Sequence, residues 1–223
     1  MKINIAILGS TGSIGENILD IVRKDKKNLK VVLLTANKNY KKLIQQAKEF
    51  KVKNILIYND KYYEFLKVKL KGRKINIFSR KTKLNKILKK KIDYTICGIS
   101  GIDGLKPTLD VIKFTKTIAS ANKESIICGW NLINKKLKKY NTKFIPIDSE
   151  HYSIWNLTRE YSNNDIEEII LTASGGPILN SPIRIQKTIT PEKTVRHPKW
   201  KMGKKISVDS ANLMNKVFEI MEA

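Results

Sequence analysis

The stretch INIAILGSTGSIG, residues 3–15, decides the fold. Ile3 to Leu8 is a short apolar run stopped by a glycine, the pattern of a strand buried on both faces. Glycines at 9, 12 and 15 follow at once. Residues 15–24 then set Ile18, Leu19, Ile21 and Val22 on one helical stripe. A strand, a glycine turn and a helix in that order open a βαβ unit. Glycines let the backbone turn tightly and approach a pyrophosphate, and the helix start offers free N–H groups at the positive end of its dipole. The spacing is G-x-x-G-x-x-G rather than G-x-G-x-x-G. Its place between a strand and a helix is what gives it weight.

Working outward, the same rhythm continues. Strand patterns at 30–36, 54–58, 75–78, 93–98, 117–121 and 143–147 alternate with helical ones at 39–50, 62–70, 84–91, 105–114 and 132–140. This alternation predicts parallel strands joined by crossover helices, an α/β doubly wound sheet. After residue 148 the rhythm changes. Residues 167–172 (EEIILT) read as one strand, followed by a Gly-Gly-Pro turn. Residues 178–205 are irregular, and 209–221 read as one helix. A domain boundary is expected at 148–151.

The chain has 223 residues, 44 Lys+Arg, 20 Asp+Glu and a formal net charge of +24. Six of the 44 basic residues are arginine (Arg23, Arg73, Arg80, Arg159, Arg184, Arg196), which leaves 38 lysines. Readers of nucleic acid rely on arginine forks interleaved with aromatics. Thinly spread lysine argues against a nucleic-acid partner and reads as a drift of surface composition. Its sharper alternative is a preference for phosphate-bearing ligands. No apolar run reaches the 18–20 residues of a membrane span. No export or transit pattern precedes the first strand, so a cytoplasmic location is expected. Cys97 and Cys128 have no CxxC partner and are expected to be reduced, small apolar fillers.

The end of the second strand separates two nucleotides. NAD sites place an acid there for the ribose 2′-hydroxyl. Here Asn37, Lys38 and Asn39 follow, with no acid. Lys38 can neutralise a 2′-phosphate, which favours NADP(H).

Asp148 and Glu150 sit just past a predicted strand, at the carboxyl edge where open α/β sheets bind ligands. Oxygen-only donors suit Mg²⁺ or Mn²⁺. The same triplet also suits a helix cap with a first-turn acid. Glu219 lies on the last predicted helix. Ser174 after the 167–172 strand, and Ser210, Asn215 and Lys216 near the chain's last helix, can cradle a phosphate. His197, Trp200 and Met202 occupy an irregular stretch that fits a lid.

Together these segments resemble one family, the 1-deoxy-D-xylulose 5-phosphate reductoisomerases. The resemblance rests on GSTGSIG (9–15), the Lys38-Asn39 pair, ANKES (121–125), PIDSEH (146–151), LTASGGP (171–177), RHPKWKMGKKISVDSANLMNK (196–216) and Glu219, in family order. It implies an NADPH-binding Rossmann-like domain over residues 1–148 and a partial α+β catalytic domain over 149–223. The family's C-terminal helical domain would be absent. It implies an NADP-dependent, metal-dependent enzyme. That enzyme rearranges 1-deoxyxylulose 5-phosphate and reduces the product to 2-C-methylerythritol 4-phosphate, in the bacterial non-mevalonate isoprene pathway. A non-catalytic NADP-binding remnant or fragment is the alternative.

Carried over residue by residue, the resemblance gives Thr11, Gly12, Ser13 and Ile14 to the pyrophosphate. Asn37, Lys38 and Asn39 meet the adenosine phosphate. Asn122, Glu124 and Gly203 contact the cofactor. Asp148, Glu150 and Glu219 ligate Mn²⁺ or Mg²⁺. Lys123, Ser149, Glu150, Ser174, His197, Ser210, Asn215, Lys216 and Glu219 meet the sugar phosphate substrate. Lys123, Glu150 and His197 are the expected catalytic residues. Where the family usually has glycine, this chain has Asn37, and a positive φ is expected to survive there. A homodimer is expected of the full-length form.

Overall fold

The computed structural model describes residues 2–173, 175–195 and 203–223. They divide into two compact units, Met1–Asp148 and Ser149–Ala223.

The first unit is built on seven parallel strands: β1 (Ile3–Leu8), β2 (Leu29–Ala36), β3 (Asn54–Ile57), β4 (Asn76–Ser79), β5 (Ile92–Cys97), β6 (Thr115–Ser120) and β7 (Lys143–Pro146). Their order is β4-β3-β2-β1-β5-β6-β7. Ile7 pairs with Leu34 on one side and with Ile96 on the other, so β1 is central. The order reverses direction between β1 and β5, and that switch point is where such sheets form their ligand crevice.

Alternation along each strand feeds two cores. Ile5, Ile7, Ile55, Ile57 and Ile96 face one layer, covered by Leu19 and Val22 of α1 (Ser13–Lys24), Leu43 and Ala47 of α2 (Tyr40–Glu49) and Leu66 of α3 (Asp60–Lys69). Ala6, Leu8, Leu56, Cys97 and Ile118 face the other. There they meet Val111 of α4 (Leu105–Val111) and Ile133 and Leu137 of α5 (Lys123–Tyr140). Burial of this kind stabilises by about 25 cal/mol per Å² of apolar surface. It is why the inner strands are rich in apolar residues on both faces.

The basic segment 84–91 is not the helix its spacing predicts. Only Leu84–Lys86 forms one 3₁₀ turn. Ile87 and Leu88 are nevertheless buried against the second layer, with Leu84 packed on the same cluster, so the apolar spacing located the buried face but not the backbone conformation. Cys97 is buried, as a filler should be, and burial pushes its thiol up to about 11 against a hydrogen bond with Thr108. Cys128 is exposed, which corrects the reading of both cysteines as fillers.

The second unit carries α6 (Ser149–Thr158), the short α7 (Ile183–Gln186) and α8 (Pro191–Thr194), then α9 (Lys204–Ala211) and α10 (Met214–Glu222). The expected strand at 167–172 is not formed. The segment pairs with no other strand among the described residues, and Ile169 and Ile170 are exposed. β propensity without a ladder partner gives no strand. The expected single helix at 209–221 is two. Leu213 takes φ 62°, and the Asn212 side chain accepts a hydrogen bond from the Met214 N–H at 3.1 Å. Asn212 is the signal for the break, since Asn side chains capture nearby backbone N–H groups.

Asp93 links the central strands. Its carboxylate accepts from the Asn4 N–H at 2.8 Å and pairs with Lys116 at 2.8 Å. The hydrogen bond from Lys116, then that from Asn4, hold its carboxyl below the ordinary range. A depressed carboxyl stabilises the fold above the unfolded value of about 3.9, and the benefit fades as pH falls through the folded value. Asp93→Asn should therefore lower the urea midpoint at pH 7, and the gap from wild type should close towards pH 3.

Candidate active site

The β1–α1 turn closes on a missing side chain. A Cβ on Gly15 would lie 2.5 Å from the Ser10 Cα and 2.6 Å from the Gly9 carbonyl oxygen. Only glycine lets α1 start that close to the strand end. The turn is then bolted to its neighbour. The Gly9 N–H donates to the Thr35 hydroxyl at 3.0 Å and the Ser10 N–H to the Thr35 carbonyl at 2.9 Å. The Ser10 hydroxyl, fully buried, reaches the Gln46 side-chain oxygen at 2.8 Å. The Gln46 amide donates back to the Ser10 carbonyl at 2.9 Å and also to Glu16. Ser10 and Gln46 are bracing positions of this turn that the sequence reading missed. The only clue was a glutamine on the apolar stripe of α2.

Thr11 and Ile14 are half-buried, while Gly12 and Ser13 are exposed at the start of α1. Gly12 caps that helix with no side chain. The first N–H groups of a helix lack intrahelical partners, so this end can receive an anion.

Asn37, Lys38 and Asn39 lie exposed beyond β2. Asn39 caps α2 by accepting from the Lys42 N–H at 3.2 Å. Asn37 does not adopt the expected positive φ. Among the described non-glycine residues only Lys51, Asn141 and Leu213 do. The turn is made in ordinary backbone space, so no glycine is needed.

ANKES opens α5. The Asn122 side chain is buried, accepts from the Ser125 N–H at 2.9 Å and donates to the carbonyls of Ile99 and Gly101, the latter at 2.8 Å. It is spent on holding the 99–104 loop. Glu124 is half-buried on the same turn. Lys123 is 8% exposed and places its Nζ 3.1 Å from Asp148 Oδ2, so the lysine is buried with a carboxylate partner.

In the second unit, charge gathers between α6 and α10. The Lys216 ammonium contacts both Glu150 and Glu219. Asn215 also donates to Glu219, which is 1% exposed. Burial would raise the Glu150 carboxyl, but hydrogen bonds from Lys216 and Ser149 with the Lys216 charge hold it below the ordinary range. Burial likewise opposes the Lys216 charge, and its bonds to the two carboxylates hold its pKa above normal. Ser149 is exposed at the start of α6.

Gly176 takes φ 64°, and a Cβ there would meet the Ala211 Cα at 2.8 Å and the Ser210 carbonyl at 2.9 Å. The Gly-Gly turn therefore rests on the end of α9 beside Ser210. Asp209 pairs with Lys205 inside α9 at 2.6 Å. Gly203 starts α9, exposed. Ser174, His197, Trp200 and Met202 lie outside the described residues. A cleft of about 670 Å³ runs between α6 and residues 165–172, with Ile154, Leu157 and Ile169 on its apolar side. Ser149 and Glu150 line that cleft, while Lys216 and Glu219 do not.

Fold and turn define a doubly wound α/β protein of the dinucleotide-binding type. Comparison with known proteins sharpens this. Residues 5–129 match the 1-deoxy-D-xylulose 5-phosphate reductoisomerase family, and residues 144–223 match the 1-deoxy-D-xylulose 5-phosphate reductoisomerase C-terminal domain. The chain belongs to this family. It is 57% identical over 221 residues to the 1-deoxy-D-xylulose 5-phosphate reductoisomerase of Pelagibacter ubique (strain HTCC1062), covering 98% of this chain and 57% of that protein. The Persephonella marina enzyme is 46% identical over 219 residues, covering 98% and 55%. A crystal structure of DOX-P reductoisomerase in complex with NADPH, fosmidomycin and magnesium superposes with TM-score 0.88 at 35% identity, covering 99% of this chain and 57% of that one. The Zymomonas mobilis enzyme in complex with NADPH superposes with TM-score 0.85 at 35% identity, covering 100% and 57%. The chain thus spans somewhat more than half the length of these relatives.

The geometry of the turn makes a test. Gly15→Ala should destabilise the protein by about 1–3 kcal/mol, since the new methyl meets backbone rather than a side chain that can move. Gly12→Ala should be tolerated, because its Cβ would meet nothing closer than 3.5 Å. Urea unfolding of the two variants checks the contrast.

Proposed function

We propose that this chain carries the nucleotide, metal and substrate sites of a 1-deoxy-D-xylulose 5-phosphate reductoisomerase. The product would be 2-C-methyl-D-erythritol 4-phosphate, made with NADPH and Mn²⁺ or Mg²⁺. The observation that carries the reading is the meeting of Glu150 and Glu219, from different helices, on one ammonium, Lys216. Two carboxylates brought together around a single positive charge can also serve a divalent ion, and oxygen-only donors suit a hard cation. Asp148 is the third ligand in this proposal. An ion held there stabilises negative charge developing on adjacent substrate oxygens, and NADPH supplies the hydride.

The chain's own residues do the rest. Thr11, Gly12, Ser13 and Ile14 receive the pyrophosphate at the start of α1, with the turn fixed by Ser10 and Gln46. Lys38, with Asn37 and Asn39, meets the 2′-phosphate. Asn122 holds the loop beside the cofactor and sets the first turn of α5, from which Lys123 projects towards substrate. Glu124 and Gly203 border the cofactor. Ser149, Ser174, Ser210, Asn215 and Lys216 bind the substrate phosphate and hydroxyls, and His197 borders the reacting carbons. Trp200 and Met202 cover the substrate and exclude water.

A sugar phosphate is the partner, and a cytoplasmic homodimer is part of the same proposal. Among the described residues no helix is long and apolar enough to cross a membrane.

The test follows NADPH absorbance at 340 nm with the full-length protein, 1-deoxy-D-xylulose 5-phosphate and Mn²⁺. Loss of absorbance should require all three components. Tight NADPH binding without turnover would instead favour a non-catalytic remnant. Lys38→Ala should raise KM for NADPH by about tenfold with little change in kcat, since one charge-assisted contact to phosphate contributes about 1.5–3 kcal/mol before solvent screening.

A further inference from the structure

We propose that His151 and Glu222 form a positioning pair that sets the two carboxylates Glu150 and Glu219 for metal binding. The inference rests on the metal reading above. Glu222 is an acid on α10 whose side chain has 0% exposure. It faces His151 of α6, with Nδ1 3.2 Å from Oε1 and the imidazole side chain 14% exposed.

The sequence positions give the pair its meaning. His151 directly follows Glu150 on α6. On α10, Lys216, Glu219 and Glu222 recur every three residues, so they share one face. That face meets α6 at two polar points, the ion pair of Lys216 with Glu150 and the contact of Glu222 with His151. Glu219 sits between them. The rotation of α10 about its axis, and its slide along α6, are therefore set on both sides of Glu219.

A buried acid beside one imidazole is a poor device for stability, because an apolar pair of the same size often does as well or better. It is a good device for geometry. Groups behind metal ligands orient them, and losing such a group typically weakens metal affinity by about 10–100-fold. The neighbouring glutamates are the ligands that the His151–Glu222 contact orients.

The experiment titrates Mn²⁺ into the full-length protein without NADPH or substrate and follows the free ion by EPR. Wild type should bind one Mn²⁺, and Glu219→Gln should lose it. Glu222→Gln and His151→Gln should each weaken binding by about tenfold. The double variant should be no weaker than either single one, because both remove the same contact. Circular dichroism should show an unchanged fold. If Glu222→Gln does not fold, His151→Asn carries the same test at a less buried position. Failure of wild type to bind Mn²⁺ overturns the metal reading itself. Wild-type binding with equal affinity in both variants overturns the pair alone. Additive losses in the double variant, or complete loss in Glu222→Gln, make Glu222 an independent ligand and also overturn it.

Discussion

Two backbone segments can pass at the β1–α1 turn because position 15 has no Cβ, and much of the first unit follows from that approach. With α1 seated on the Ser10 backbone, its N-terminus opens at the switch point of the sheet. Ser10 is then too close to β2 and α2 to face water. Its hydroxyl, carbonyl and N–H are all taken by Thr35 and Gln46. Burying polar groups is tolerable only when each finds a partner, and a satisfied network in a low-dielectric interior is stiff. A stiff turn keeps N–H groups aimed before a ligand arrives, so less ordering remains for binding to impose.

The second unit solves a different electrostatic problem. Bringing Glu150 and Glu219 together without compensation would be strongly unfavourable, since like charges at close range repel and burial penalises each of them. Lys216 supplies the compensation, and its own charge is secured by the same contacts. Lys123 and Asp148 repeat the device in the first unit. In a chain with 38 lysines, these two stand apart from the solvated majority by burial and by carboxylate partners. Residue type alone does not reveal that distinction.

Much of the first unit was readable from sequence because its inner strands are covered by helices on both faces and are therefore rich in apolar residues, as in β1 and β2. Periodicity then locates elements well. It failed at 84–91, where Leu84, Ile87 and Leu88 do meet the core at helical spacing but the backbone makes only one 3₁₀ turn, and at 167–172, where the residues suit a strand but no ladder partner pairs with them among the described residues. Motif residues such as Lys38, Glu150 and Glu219 were visible because their chemistry is distinctive. Ser10, Gln46 and the His151–Glu222 contact were not, since their roles depend on neighbours far away in the chain or on another helix. The Asn37 turn shows the limit of analogy: an expected left-handed residue proved unnecessary.

Leucine at 213 is an awkward residue for a left-handed turn, because its branched side chain makes φ 62° intrinsically unfavourable by about 1–2 kcal/mol. Without the Asn212 side-chain bond to the Met214 N–H and the docking of α10, residues 204–222 would run as one rod. Straightening would swing everything beyond 213 around a new axis and carry Glu219 away from Glu150. The docking of α10 on α6 must therefore outweigh the torsional preference of its own leader sequence. The elbow behaves as a loaded spring, held bent by the contacts it brings together.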